Sequence, residues 1–491
     1  MLQIVENSKK YLGKTAIVDF KSEFTFSQLL QRSEAVAASL LKENADLNQK
    51  RVAFIISPGF EYAAFQWGIW RAGGIAVPLC ISYPFPSLQY VIEDTGTEYL
   101  IVGPEYEELL SPYKQNTSIK FITLEEINSK GNVNLPEIDN SRGAMILYTS
   151  GTTNLPKGVL TTHANMEAQI STLVKAWHWS SEDYTVGILP LHHVHGIINV
   201  LCCALWSGAT IQFLHPFNAE EVFEVFEQGK VSVFMAVPTI YFKLIAQFEV
   251  FPEERQRKLT PMMEKFRLMV SGSAALPVSV MAKWKEISRH TLLERYGMTE
   301  IGMAISNPYH HDRKAGYIGQ ALEGVEIRLV NEENQVILPG HAGEIQVKGP
   351  SVFKEYWGKP EATAKTFTED GWFKTGDIAI IEAGYFRILG RDSIDIIKSG
   401  GYKISALEIE EILRQYPGIK DVGVIGIPDE EWGEIVVSAL VLENPIDIQK
   451  LNSWLRERMP AYKTPRSYKI IGELPRNAMG KVTKNELKKL F

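Results

Sequence analysis

Between Tyr148 and Gly158 the chain runs Tyr148-Thr149-Ser150-Gly151-Thr152-Thr153-Asn154-Leu155-Pro156-Lys157-Gly158: four Ser/Thr hydroxyls, two glycines and a lysine in eleven residues. Glycine lets the backbone approach a ligand closely, and successive N–H groups in such a turn form a concavity for anionic oxygens. Hydroxyls at Thr149, Ser150, Thr152 and Thr153 add donors, and Lys157 adds a charge, so the chemistry on offer is that of a phosphate cradle. No Gly-Lys-Ser/Thr closes the loop, so it is not a Walker A sequence. Its composition also suits an ordinary polar surface loop.

Four further segments carry candidate chemistry. In Glu294-Arg295-Tyr296-Gly297-Met298-Thr299-Glu300 an aromatic ring, a hydroxyl and a carboxylate fall close together. Tyr296 can stack on a purine, Thr299 can bind a phosphate oxygen, and Glu300 suits Mg²⁺, which favours one or two carboxylates plus substrate phosphates. A solvated helix end with a buried tyrosine is the plain alternative. In Thr375-Gly376-Asp377 a carboxylate follows a glycine turn and could accept both hydroxyls of a ribose, with Gly390-Arg391 as partner. The run His192-His193-Val194-His195-Gly196 has no carboxylate or further His/Cys cluster at ligand spacing, which argues against zinc and for a pocket wall. Late in the chain, Lys398-Ser399-Gly400-Gly401-Tyr402-Lys403 leaves room beside its backbone for a narrow ligand, ahead of a capping box at Ser405 and Glu408. Asn477-Ala478-Met479-Gly480-Lys481 sets a lysine on a glycine-containing turn, a surface lysine or a cation delivered by domain motion.

The elements that must position these residues read as α/β. With 491 residues more than one domain is expected. A strand over 52–56, a helix over 60–70 and a strand over 75–79 form a βα repeat, recurring with strands over 186–190, 209–214, 231–237 and 266–271. The expected architecture is a large N-terminal domain of mixed, largely parallel sheets with flanking helices. From about residue 324 shorter alternating strands (325–330, 343–348, 384–389) predict a β-rich subdomain. Strands over 421–427, 435–442 and 468–471, interleaved with helices near 406–416, 447–459 and 483–490, predict a small mobile C-terminal α+β domain. The boundary falls at 1–391 and 392–491. A net charge of −7 speaks against nucleic acid as an electrostatic partner. No eighteen-residue apolar run suggests a membrane span. Cys80, Cys202 and Cys203 form no CxxC and read as reduced, buried small hydrophobes. The start of the chain looks like neither a signal nor a transit peptide, so the expected compartment is the cytosol.

In order and spacing these motifs resemble the acyl-adenylate-forming superfamily of acyl-CoA synthetases, adenylation domains and luciferases, over nearly the whole chain. Within it the sequence is most similar to malonyl-CoA synthetases of the acyl-CoA synthetase family member 3 type. The passages that carry this are 237–244, 270–277, Glu294 to Met303 and 395–403. The resemblance implies ATP, Mg²⁺, CoA and a small carboxylate as ligands, with a monomer or weak homodimer as the assembly. It implies that Thr149, Ser150, Gly151, Thr152, Thr153 and Lys157 hold the β,γ-phosphates. Ser273, Ala274 and Ala275 line the adenine and acyl side, Arg295, Tyr296, Gly297 and Met298 belong to the nucleotide site, and Met298 and Ser273 also face the acyl group. Thr299 contacts the α-phosphate, Glu300 with Thr152 takes Mg²⁺, and Asp377 and Arg391 hold the ribose. Lys481 reaches the carboxylate and α-phosphate, and His193 gates the acyl and CoA channels. Gly400 and Gly401 flank the pantetheine once the tail has rotated, with Lys398, Lys403 and Arg466 as candidate cations at the tunnel mouth.

The implied reaction is ATP-dependent formation of an acyl-adenylate followed by transfer to the CoA thiol, with malonate or a methyl-substituted malonate as acid. Lys243 stands where bacterial malonyl-CoA synthetases carry Arg, and could neutralise a distal carboxylate with help from Ser273. A lysine there is a point charge on a flexible stem where Arg would bind bidentately. Ser393 occupies the usual hinge place, in a loop one residue longer than the family pattern. A short- or medium-chain or aryl monocarboxylate, loading of a carrier protein, and non-catalytic nucleotide binding stand as the alternatives.

Overall fold

The computed structural model describes residues 2–20, 22–42, 44–127, 134–149, 155–400, 402–477 and 480–491. Two large sheets, counted over the described residues, dominate the first part of the chain. One has nine strands, and its centre runs Leu268–Ser271, Val233–Ala236, Tyr184–Gly187, Thr210–Phe213 and Thr15–Asp19, all paired in parallel. The second has seven, with Gly143–Thr149, Ile75–Pro78, Arg51–Ile55, Tyr99–Val102 and Lys120–Thr123 parallel in turn. Strands such as Val233–Ala236 and Ile75–Pro78 are apolar throughout and wholly buried, as expected where helices cover both faces of a parallel sheet. The large side chains Trp67, Trp70, Trp177 and Trp284 lie among them with almost no exposure.

A four-stranded antiparallel sheet follows, built on Glu326–Val330, Gly343–Lys348, Phe373–Glu382 and Tyr385–Arg391. The tail has its own sheet, whose long hairpin Ile419–Asp429 with Gly433–Leu442 packs under the helices Ala406–Leu413 and Ile448–Arg456. Among the described residues no hydrophobic cluster mixes side chains from before Ile388 with side chains from after Ile397. The expected elements are present with small shifts at their ends. One strand expected over 186–190 runs from Tyr184 to Gly187. It stops early because Pro190 has no N–H for a ladder and the chain must turn into the histidine run. Among the described residues no helix is long and apolar enough to cross a membrane. The three cysteines are free and buried, as their isolation suggested.

Candidate active site

Three hairpins and one loop converge. Gly143–Thr149 leaves the seven-stranded sheet and returns antiparallel as Lys157–Thr162, in a register that places Thr149 opposite Lys157. The pair therefore stands at the base of the hydroxyl-rich tip. Ser150, Gly151, Thr152 and Thr153 lie outside the described residues. The returning strand is locked where Thr162 caps the helix His163–Ala176 in a capping box with Asn165. The Lys157 ammonium lies 5.0 Å from the centre of the Tyr356 ring. The Tyr356 hydroxyl donates to Glu300 at 2.9 Å, so lysine and acid share one aromatic neighbour.

The second hairpin joins Leu293–Met298 to Gly302–Ser306, with Thr299 and Glu300 in its turn. Glu300 is 5% exposed. Burial raises its pKa against the opposing effect of the Tyr356 hydroxyl. A buried carboxylate in that state gains from a cation. Among the described residues no group of three or more His, Cys, Asp or Glu is placed to hold a metal ion, so a metal at Glu300 would take most of its ligands from phosphate oxygens. That donor set fits Mg²⁺ beside a triphosphate.

The third hairpin places Asp377 directly opposite Arg391, between Phe373–Glu382 and Tyr385–Arg391. Arg391 Nε donates to Asp377 at 2.9 Å, and the Tyr296 hydroxyl donates to the other Asp377 oxygen at 2.6 Å. Tyr296 is nearly buried, and its hydroxyl belongs to the acid. One polar triad thus ties the second hairpin to the third.

Arg295, beside Tyr296 on the same strand, leaves on the opposite face. It is 4% exposed and forms no ion pair among the described residues. Among the described residues its only side-chain hydrogen bond runs to Ser273 Oγ at 3.4 Å, and its Nε has no partner. Burial pulls its pKa down to about 9. Gly272 makes room for it, since a Cβ there would lie 2.7 Å from the guanidinium carbon. His195 Nδ1 shares Ser273 Oγ at 3.1 Å. His195 opens a π-helical stretch, His195–Cys202, a geometry often found at functional sites. The rings of His192 and His193 lie 4.0 Å apart, tilted by 49°, and among the described residues the Nε2 atoms of all three histidines lack partners. Burial pushes all three pKa values down, that of His192 to about 4, so the imidazoles are neutral at pH 7. Ala274 and Ala275 are exposed beside Ser273, and Met298 is half-buried.

The tail closes the group from the other side. Gly480 lies against Thr239, where a Cβ would fall 2.6 Å from Oγ1. Asn477 closes the turn, its side-chain oxygen accepting from the Lys481 N–H at 3.0 Å. Lys481 is open to solvent through the cleft yet crowded by protein. Its pKa is held below the usual lysine range first by lost hydration, then by the guanidinium of Arg391, against the pull of Asp377, with Arg295 and Glu300 weaker neighbours of each sign. It also depresses His193. Lys481, Arg295, Glu300, Asp377, Arg391 and His193 therefore share one electrostatic neighbourhood.

Three expected residues stand apart. Lys243 is exposed on the helix Pro238–Val250, its ammonium 5.7 Å from the centre of the Phe217 ring. Gly400 and Lys403 are exposed on the tail, with Lys403 paired to Glu332. Gly401 lies outside the described residues. The residue that sequence reasoning under-read is Arg295, whose type was visible and whose missing anion was not.

A model for AMP-binding enzymes matches residues 4–357, and one for the C-terminal domain of AMP-binding enzymes matches residues 408–481. The mitochondrial malonate–CoA ligase of Bos taurus is 43% identical, over 96% of this chain and 88% of its own. The malonate–CoA ligase of Arabidopsis thaliana is 39% identical, over 90% and 78%. Among solved structures, ATP-bound MatB from Rhodopseudomonas palustris superposes with a TM-score of 0.92 at 30% identity, covering 100% of this chain and 98% of that one. The o-succinylbenzoate CoA synthetase of Bacillus subtilis, in complex with its acyl-adenylate, gives 0.87 at 26%, covering 99% and 98%.

Proposed function

The chain belongs to the AMP-binding enzyme family, and from that premise we propose that it is an ATP-dependent acid–thiol ligase converting malonate, or a methyl-substituted malonate, to its CoA thioester through an acyl-adenylate. The single observation that carries the dicarboxylate is Arg295, a buried guanidinium without an anion. An unpaired charge inside a protein costs several kcal/mol, and a carboxylate that pairs with it bidentately offsets that cost. Lys481 and Arg295 lie within electrostatic reach of each other. Malonate's two carboxylates are separated by one carbon, so one can face Lys481 as nucleophile while the other sits on Arg295, Ser273 and His195. Lys243, solvated and beside Phe217, has no comparable need of an anion.

The reacting carboxylate attacks the α-phosphate of ATP, and two anions must be held together. Lys481 supplies charge at the carboxylate and α-phosphate, and Thr299 donates to the latter. Thr149 and Lys157, at the base of their hairpin, hold the β,γ-phosphates with the loop tip between them. The Asp377–Arg391 pair takes the ribose hydroxyls, and adenine lies against Tyr296. Mg²⁺, held by Glu300 with Thr152 and phosphate oxygens, would neutralise charge on the phosphates. Positioning and electrostatics carry such chemistry. After pyrophosphate leaves, a CoA thiolate attacks the acyl carbon past His193, whose neutral imidazole does not trap the anion, and AMP departs. For that step we place the domain division at 391/392, with a tail that turns to bring Gly400, Gly401 and Lys403 to the pantetheine. For the compartment we keep the cytosol; the bovine relative is named mitochondrial, so fractionation against markers of both compartments decides it.

The test is AMP formation with ATP, Mg²⁺ and CoA across acetate, butyrate, octanoate, benzoate, malonate, methylmalonate and succinate, for the native protein and Arg295→Met. The native protein prefers malonate or methylmalonate. Arg295→Met loses that preference, with a malonate KM raised roughly a hundredfold, as expected for a buried charge pair. A native preference for a monocarboxylate, or an Arg295→Met variant with unchanged malonate KM, overturns the dicarboxylate pocket.

A further inference from the structure

Lys484 is the third residue after Lys481 and opens the short helix Lys484–Lys488. Its side chain is 6% exposed, and its ammonium lies 2.7 Å from Asp395 Oδ1 and 2.8 Å from Glu410 Oε1. Burial alone would lower the Lys484 pKa, but Glu410 and Asp395 outweigh it and hold the group charged. Both carboxylates are committed elsewhere as well. Glu410 Oε1 accepts the Val424 N–H at 2.9 Å from the long hairpin of the tail. Asp395 Oδ2 accepts the Arg391 N–H at 3.0 Å, and the Asp395 N–H donates to the Arg391 carbonyl at 2.8 Å. Gly390 allows this approach, since a Cβ there would fall 2.3 Å from the Asp395 Cβ.

The contacts form one polar line. It runs from Tyr296 to Asp377, to Arg391, across to Asp395, and from there to Lys484 and the turn carrying Lys481. A buried ion group of this kind is a weak source of stability and a geometrically exacting contact. An apolar side chain packed beside Leu487, already fully buried, would serve the helix as well. The arrangement makes sense as a register between the residues that hold the nucleotide and the lysine that must reach its α-phosphate.

We propose that Lys484 is a positioning residue for adenylation: through Asp395 it sets the Lys481 turn against the Asp377–Arg391 pair. This rests on the ligase reading above. The thioester step does not use Lys481, so it does not need this register.

The test separates the half-reactions in Lys484→Met and Lys484→Arg. Adenylation is read as malonate-dependent pyrophosphate–ATP exchange, and thioester formation from synthetic malonyl-adenylate and CoA. In Lys484→Met the kcat of exchange falls ten- to a hundredfold, KM for ATP stays within threefold, and thioester formation stays within threefold. Lys484→Arg, still a cation, recovers most of the exchange. If Lys484→Met does not fold, Asp395→Asn is read in the same way and shows the same split. Equal losses in both half-reactions, or unchanged exchange in a folded variant, overturn the proposal. A native protein that performs neither half-reaction overturns the ligase reading itself, and with it this one.

Discussion

Glu294 and Arg295 are consecutive buried ionisable groups, one acid and one base, that do not pair with each other. Arg295 faces the cleft, where an anion is expected; Glu294 is 6% exposed, with one carboxylate oxygen lacking a partner. Burial pushes the Glu294 pKa up to about 8, the Gly316 backbone opposing and Glu411 adding to the rise. Between its ordinary value of 4.5 and about 8 the folded chain holds a proton that the unfolded chain has released. Stability contributed by this group is therefore fully present below that window and declines as pH rises through it. Glu294→Gln, neutral at every pH, removes the decline. Urea unfolding at several pH values across this range checks it: native stability falls relative to the variant by up to about 1.4 kcal/mol per pH unit. Parallel stability curves would show that Glu294 is ionised in the fold.

At the scale of elements, turns present the chemistry and strand pairing holds the turns. The hairpin bearing Thr299 and Glu300 closes at Gly297, opposite Met303, where a Cβ would lie 2.1 Å from the Gly302 carbonyl oxygen. Gly297→Ala must spread the strands and shift both residues. It should cost about 1–3 kcal/mol of stability, as overpacking does, and lower kcat by more than tenfold, read by thermal unfolding beside steady-state rates. An alanine variant with native activity would show that the turn tolerates the shift. Such local demands explain what could be read in advance. Glycines, hydroxyls and acids at turn positions are chemically conspicuous, and an apolar run marked the strand entering the hydroxyl-rich loop, but the strands Leu293–Met298, Gly302–Ser306 and Phe373–Glu382 that carry the other turns were not read in advance. Arg295 was legible only as part of a nucleotide motif, because whether a guanidinium has a partner depends on residues far along the chain. The π-helical stretch from His195 and the link from Lys484 to Asp395 are long-range in the same sense, and no local pattern announces them.

At the scale of the molecule, the proposed reaction would use the tail as docked here for one step of two. Lys481 sits in the electrostatic field of Arg391, Asp377, Arg295 and Glu300, and the Val278 N–H donates to Glu411 at 3.1 Å across the junction. Lys403 is engaged with Glu332 on the outer face, away from that field. With Lys481 among these groups, Gly400 and Lys403 are exposed, and these are residues that the proposed reaction brings to the pantetheine. The consequence is separability. Lys481→Ala removes the cation that lets two anions meet, and its pyrophosphate–ATP exchange should fall at least a thousandfold, as loss of a group acting directly on the transition state does. Thioester formation by the same variant, supplied with malonyl-adenylate and CoA, should remain within a few-fold of native, because the acid is already activated and the lysine has left the site. Loss of both half-reactions would mean that Lys481 holds the acyl-adenylate as well as making it, and that the tail does not divide its work between two positions.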